Sequence, residues 1–152
     1  MNTEEIKQLF LQGFDCSQVV AGSFAETLDM DEEFMNKVSA CFGGGMLSGD
    51  TCGAITGALI VLGLQYGHTK AGDTEQKVKM QEKVVEFKTK FLEQYPSCIC
   101  KDLLGHDISK TGEMEKVLEK GLLFDLCPRI VKDVIDILKS EIEDSTKKIE
   151  SR

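Results

Sequence analysis

Six cysteines carry most of the chemistry open to this 152-residue chain: Cys16, Cys41, Cys52, Cys98, Cys100 and Cys127. Four of them, Cys16, Cys52, Cys100 and Cys127, each read as the opening of a helix. Cys16 begins Cys-Ser-Gln-Val-Val-Ala, and Cys52 follows a glycine-rich run over 42–51. Cys100 follows Pro96-Ser97, and Cys127 directly precedes Pro128. A helix N-terminus carries unpaired N–H groups and about half a positive charge. That setting favours thiolate, the form that binds soft metals and does redox chemistry. Brought together by the fold, the four thiols would make a soft-metal, iron–sulfur or dithiol site. The spacings between them are 36, 48 and 27 residues, with no local Cys-x-x-Cys knuckle. Zinc fingers and bacterial ferredoxins carry short-range pairs, so a site here has to be assembled by tertiary structure. The plain alternative is four buried thiols acting as small hydrophobes.

Cys52 is the best single candidate, because a glycine-rich loop feeding a helix N-terminus stabilises anions. Cys127 sits between Leu126 and Pro128, which also suits a packed corner. Cys98 and Cys100 are one residue apart. A disulfide between them would be strained, so chelation, or one active and one spare thiol, fits better. Cys41 lies on an apolar helix face and reads as core. His68 and His106 fall in loops and read as solvated surface groups, and neither belongs to an HExxH motif. The glycine loop lacks the Gly-Lys-Ser/Thr ending of a phosphate-binding loop.

Composition narrows the partners and the compartment. Net charge is −8, and residues 1–50 hold nine acids against two lysines. No basic patch supports nucleic-acid binding, and the acidic face reads as solvated surface that could steer a basic partner. The strongest apolar stretch, Ala58 to Leu64, is far short of the ~20 residues that span a bilayer. The N-terminus Met-Asn-Thr-Glu-Glu does not resemble a secretory signal. The expectation is a cytoplasmic protein, where persistent structural disulfides are disfavoured.

The elements that must position the thiols are helical almost throughout, and the fold class expected is all-α. The reading is one domain over 1–152, a bundle of about six to seven helices around a buried central helix at 51–66. Thr3-Glu4-Glu5 caps a first helix that Gly13 ends. A second runs over 16–28 with Val19, Val20, Phe24 and Leu28 as its core stripe. Asp31-Glu32-Glu33 opens a third, carrying Phe34, Val38 and Cys41 inward. Four glycines between Phe42 and Asp50 forbid a stable helix and predict a tight loop with exposed N–H groups. In the apolar central helix, Gly53 and Gly57 share a face and allow close approach of a neighbour. After a linker at 67–72, a long helix runs over 73–95 and Pro96 stops it. Short helices follow at 98–104 and 113–118. Pro128 starts the last helix, whose core face is Ile130, Val131, Val134, Ile135, Leu138 and Ile142.

At Cys52-Gly53-Ala54-Ile55-Thr56-Gly57, preceded by Phe42-Gly43-Gly44-Gly45-Met46, the chain resembles the redox-active family C_GCAxxG_C_C. The family label writes glycine before cysteine, whereas here cysteine comes first. The first family cysteine resembles Cys16 in Phe14-Asp15-Cys16-Ser17-Gln18. The third resembles Cys100 in Cys100-Lys101-Asp102-Leu103-Leu104-Gly105, and the fourth Cys127. The likeness spans roughly residues 10 to 135 and leaves Cys41 and Cys98 outside the pattern. A similar segment occurs in split-Soret cytochromes, where it goes with an iron–sulfur centre. The resemblance therefore implies redox function and an iron–sulfur cluster of the [2Fe–2S] type on Cys16, Cys52, Cys100 and Cys127. No CxxCH haem motif is present, so no haem carries over. Two other readings stand beside it. One is a metal-free thiol–disulfide oxidoreductase, with Cys52 as nucleophile and Cys16, Cys100 or Cys127 resolving. The other is a structural zinc protein, with all four thiolates on one ion, acting as an interaction module. The expected partner is a redox protein not named by the sequence. The long amphipathic faces at 73–95 and in the last helix are compatible with a homodimer.

Overall fold

The structure, a computed structural model, describes the backbone of residues 1–150 and the side chains of residues 1–143. Among these residues there are eight α-helices, one or two more than expected, and no strand longer than a single bridge. The helices are α1 (Thr3–Leu11), α2 (Cys16–Ser23), α3 (Glu32–Ser39), α4 (Gly53–Tyr66), α5 (Thr74–Gln94), α6 (Cys100–Leu104), α7 (Glu113–Glu119) and α8 (Leu122–Glu150). The all-α class holds, and among the described residues no helix is long and apolar enough to cross a membrane.

Local capping explains several helix starts. Asn2, rather than Thr3, caps α1: its Oδ1 accepts from Glu5 N–H at 2.9 Å while Glu5 Oε2 accepts from Asn2 N–H at 2.7 Å. This reciprocal pair satisfies two otherwise orphaned donors. Asp31 caps α3 by accepting from Phe34 N–H at 2.8 Å. The second helix is shorter than the expected 16–28. Ser23 Oγ donates to Val20 O at 2.7 Å, and Phe24 and Ala25 N–H bond three residues back, tightening the chain out of α-helix.

The core is built on α4. Ala54, Ile55, Ala58, Val61 and Leu62 are fully buried, while its far end emerges at Leu64. Around it pack Ile6 of α1, Val19 and Val20 of α2, Phe87 and Phe91 of α5, and Val131, Val134 and Leu138 of α8. The close crossing expected at Gly57 is present. A Cβ there would stand 2.8 Å from Ser17 O and 3.1 Å from Val20 Cβ. Backbone thus meets backbone between α2 and α4, which fixes where α2 begins.

Two expectations fail. In α3 the inward residues are Met35 and Ser39, while Phe34, Val38 and the nearby Cys41 are exposed. Tertiary hydrogen bonds turn the helix: Ser17 Oγ donates to Ser39 O at 2.8 Å, and Gln18 Nε2 to Asn36 O at 3.1 Å. Met35 fills a small core with Ala21 and Ala25. At the C-terminal side, Pro128 does not start the last helix but lies inside α8, which begins at Leu122. A proline inside a helix costs about 3 kcal/mol. Here the turns before it pack the half-buried Leu122, Leu123 and Leu126 against Leu104 and Val117, which offsets part of that cost.

Candidate four-cysteine site

Each of the four thiols reaches the site by a different local device. Cys16 is the first residue of α2. Gln18 Oε1 accepts from Asp15 N–H at 3.0 Å, and the serine bond from Ser17 to α3 holds the turn in place. Cys52 and Cys100 are set by one antiparallel bridge between Thr51 and Ile99. On either side of it, Cys52 N–H donates to Cys98 O at 2.8 Å and Cys100 N–H to Asp50 O at 2.6 Å. Cys52 then caps α4, and Cys100 opens α6. The strand segment before Cys100 is anchored by Tyr95. Its ring stacks on Phe91 at 4.8 Å, and its hydroxyl donates to Asp133 of α8 at 2.5 Å. Cys127 comes from the second turn of α8, not from a helix start.

All four thiols line one cavity of about 230 Å³. The rest of its wall is mainly apolar, including Phe10, Phe14, Leu103, Ile108, Val117 and Val131. Glycine makes the thiol side possible. A Cβ on Gly53 would collide with Cys16 Sγ and stand 3.0 Å from Phe42 O. A Cβ on Gly45 would meet Cys100 Cβ at 2.9 Å.

The glycine loop adopts an unusual form. Gly44, Gly45, Met46 and Leu47 all have φ near +60°, a left-handed turn closed by Asp50 N–H donating to Gly45 O at 3.0 Å. The expectation of a tight loop holds, although Gly43, Gly45 and Gly49 are buried rather than exposed. Its service to the site also differs from expectation. The Gly44 N–H faces Cys16, not Cys52; Ser17 N–H faces Cys16 as well, and Ala54 N–H faces Cys52. No residue type at 46 or 47 signals this conformation, because methionine and leucine rarely enter it.

The expectation that helix starts favour thiolate is overturned. Burial raises the pKa of Cys16, against a smaller opposing effect of the Gly44 N–H. Burial, then the neighbouring Cys16, pushes Cys52 above the ordinary thiol range, Cys127 up to about 12 and Cys100 up to about 11. Desolvation of an anion outweighs a few N–H groups, and Cys127 has no helix terminus to draw on. The metal-free folded protein therefore holds these protons more tightly than the unfolded chain. The stability these thiols contribute is fully present below pH 9 and is lost as the pH climbs towards 11 and 12. Thermal melts of metal-free protein should show Tm falling across that interval. A flat Tm from pH 8 to 11 would mean that the thiols are not buried in solution.

The other candidates separate cleanly. Cys98 is half-buried against the main core and does not line the cavity, so of the Cys98-x-Cys100 pair only Cys100 does. Cys41 is exposed on the turn after α3, not in the core. His68 is exposed as expected. His106 is not a solvated group: its side chain is only 13% exposed. Its Nδ1 pairs with Glu113 Oε2 at 2.7 Å, and Lys120 Nζ donates to its Nε2 at 2.9 Å. This network ties the 105–112 turn, which carries Ile108 into the cavity wall, to α7 and to Lys120 just beyond it.

The donor set is chemically soft, four thiols, with one hard carboxylate, Asp15, at the rim. Among the described residues no three His, Cys, Asp or Glu groups are arranged to hold one metal ion. The four cysteines share one cavity wall without being so arranged.

A family model described as "Putative redox-active protein (C_GCAxxG_C_C)" matches residues 14–141, a span that takes in all four of these cysteines. No curated protein and no solved structure matches the chain.

Proposed function

The chain belongs to the C_GCAxxG_C_C redox-active family, and from that premise we propose that Cys16, Cys52, Cys100 and Cys127 hold an iron–sulfur cluster used for electron transfer. The observation that carries this reading is the meeting of four thiols, from four separate segments, on one apolar-walled cavity. Such a cluster, when bound, supplies one-electron transfer with no need to make or break a bond. The chain's own residues do the rest. The four cysteines would ligate as thiolates, and a bound cation would offset the burial that keeps them protonated without it. Gly44 and Ser17 N–H groups face the Cys16 sulfur, and Ala54 N–H faces that of Cys52. N–H groups turned towards a sulfur stabilise negative charge on it and would raise a bound centre's potential. Phe10, Phe14, Ile108 and Val131 keep water from the sulfurs.

The two other readings find less support. A thiol–disulfide enzyme needs an accessible thiolate of lowered pKa, whereas burial raises all four here. A structural zinc site needs four sulfurs at tetrahedral positions around one ion, and the described side chains are not so arranged.

Anaerobic purification separates the three. The expected product is coloured, with a sulfur-to-iron charge-transfer band and matching iron and acid-labile sulfide. Stoichiometric zinc without iron would establish the structural reading. Colourless protein without metal, after reconstitution with iron and sulfide has also failed, would overturn the cluster.

A further inference from the structure

The left-handed turn beside the site presents two apolar side chains to solvent. Leu47 is 74% exposed and Met46 40% exposed. Both hold φ of +59°, where a side chain costs roughly 1–2 kcal/mol per residue relative to glycine. The two positions before them, Gly44 and Gly45, hold the same φ with glycine, so the chain puts an exposed methionine and leucine where glycine would be less strained. Strain of that kind collects at functional positions. The turn also lies next to the sulfurs: Gly44, which starts it, turns its N–H to Cys16, and Leu47 stands at the cavity mouth. Across the mouth Met114 is exposed as well.

The surrounding charge is mostly of one sign. A Cβ on Gly43 would meet the side chain of Asp15, and one on Gly49 would meet Asp107 Oδ1 at 2.9 Å. Asp50 is exposed at the end of the same turn. Lys101 packs its Cβ against Gly49, and Lys101 and Lys110 both lie within electrostatic reach of Asp107, so the acids outnumber the cations here by three to two. Three aspartates therefore rim an apolar tip. Flexible methionines and a small apolar centre inside a charged rim suit brief, adaptable protein contacts.

We propose that the Met46–Leu47 tip is the docking point of an electron-transfer protein that presents an apolar centre within a basic rim. The proposal rests on the redox reading of the four-cysteine site. One electron leaves the reduced site past Cys16 and the Gly44 backbone and is taken up by the partner's oxidised centre; no atom moves with it.

A basic c-type cytochrome in its ferric form serves as the probe, with an acidic flavodoxin as its counterpart. Zero-length carbodiimide cross-linking to the cytochrome's lysines should map to Asp50, Asp107 and Asp15. It needs no loaded cluster. Cross-links confined to the acids of α1 and α3 would overturn the proposal. In stopped flow, the dithionite-reduced protein should reduce the cytochrome at a rate that falls as salt shortens the Debye length. The flavodoxin should show no such fall. Leu47→Gly should slow the cytochrome reaction about tenfold, the loss of one docking contact of about 1.4 kcal/mol. It should leave Tm equal or higher, because glycine adopts this φ freely. An unchanged cytochrome rate in Leu47→Gly would overturn docking at the tip. Failure of dithionite to reduce the protein at all would overturn the redox reading beneath it.

Discussion

Cys52→Ser should strip the site of iron and sulfide while leaving the fold intact. Cys52 is 8% exposed and lies within electrostatic reach of Cys16, Cys127 and Cys100. A serine hydroxyl there is a hard donor that stays protonated in a buried setting, so it replaces a thiolate poorly. The same substitution does little harm to α4. Position 52 is its N-cap, and serine is among the preferred residues there. Metal loss and unfolding are therefore separable at this residue. Anaerobically purified Cys52→Ser should hold less than about a tenth of the wild-type iron, a loss of more than 1.4 kcal/mol in binding, with helical circular dichroism unchanged. Cys41→Ser should retain full iron, because Cys41 is exposed on the turn after α3 and absent from the cavity wall. Equal loss in both variants would show that the site has been assigned to the wrong thiols.

Gly53→Ala should be nearly as damaging, although it adds only one methyl group to a helix. In an ordinary helix the change gains about 1 kcal/mol of propensity. At position 53 the new Cβ would run into Cys16 Sγ, with Phe42 O at 3.0 Å and Gly43 Cα at 3.2 Å leaving it no escape. Either the Cys16 sulfur or the glycine loop must move. Overpacking of this kind costs about 1–3 kcal/mol, and here the displaced atom is a candidate ligand. Gly63→Ala in the same helix is the matched control, because nothing lies within 4 Å of a Cβ built there. The expected result is a Tm equal to or above wild type for Gly63→Ala, and a lower Tm with little bound iron for Gly53→Ala. Comparable behaviour of the two would mean that the α2–α4 approach at Cys16 is looser than the structure has it.

The helices were legible where one physical signal dominated. Acidic first turns, glycine stops, the all-round apolar character of the central helix and the core stripe of the last helix all appear as read. The failures come from competing signals that only packing resolves. Phe34 and Val38 are more apolar than Met35 and Ser39, yet the second pair faces inward because Ser17 and Gln18 grip the α3 backbone from across the chain. Pro128 is a strong start signal, but the leucines before it find a core of their own. Within the site, the positions of Cys16, Cys52 and Cys100 at helix starts were legible, and so was the need for glycine at 53 and 57. Proton affinity was not. A helix dipole can be read from sequence, whereas the desolvation that outweighs it depends on walls contributed by distant residues. The left-handed Met46 and Leu47 were hidden for a related reason: the closing hydrogen bond that holds them has no side-chain signature.

The single bridge between Thr51 and Ile99 limits how the length of this chain can drift. It fixes Cys52 and Cys100 by count along two extended segments that pair at a single position. A residue gained or lost between Gly45 and Cys52, or between Tyr95 and Cys100, would slip that register and carry a thiol away from the cavity. The turn at 67–72, exposed along most of its length, has no such role and tolerates gain or loss of residues. Homologues that keep the four cysteines should therefore vary in length at this turn and hold constant the two short segments that meet at the bridge.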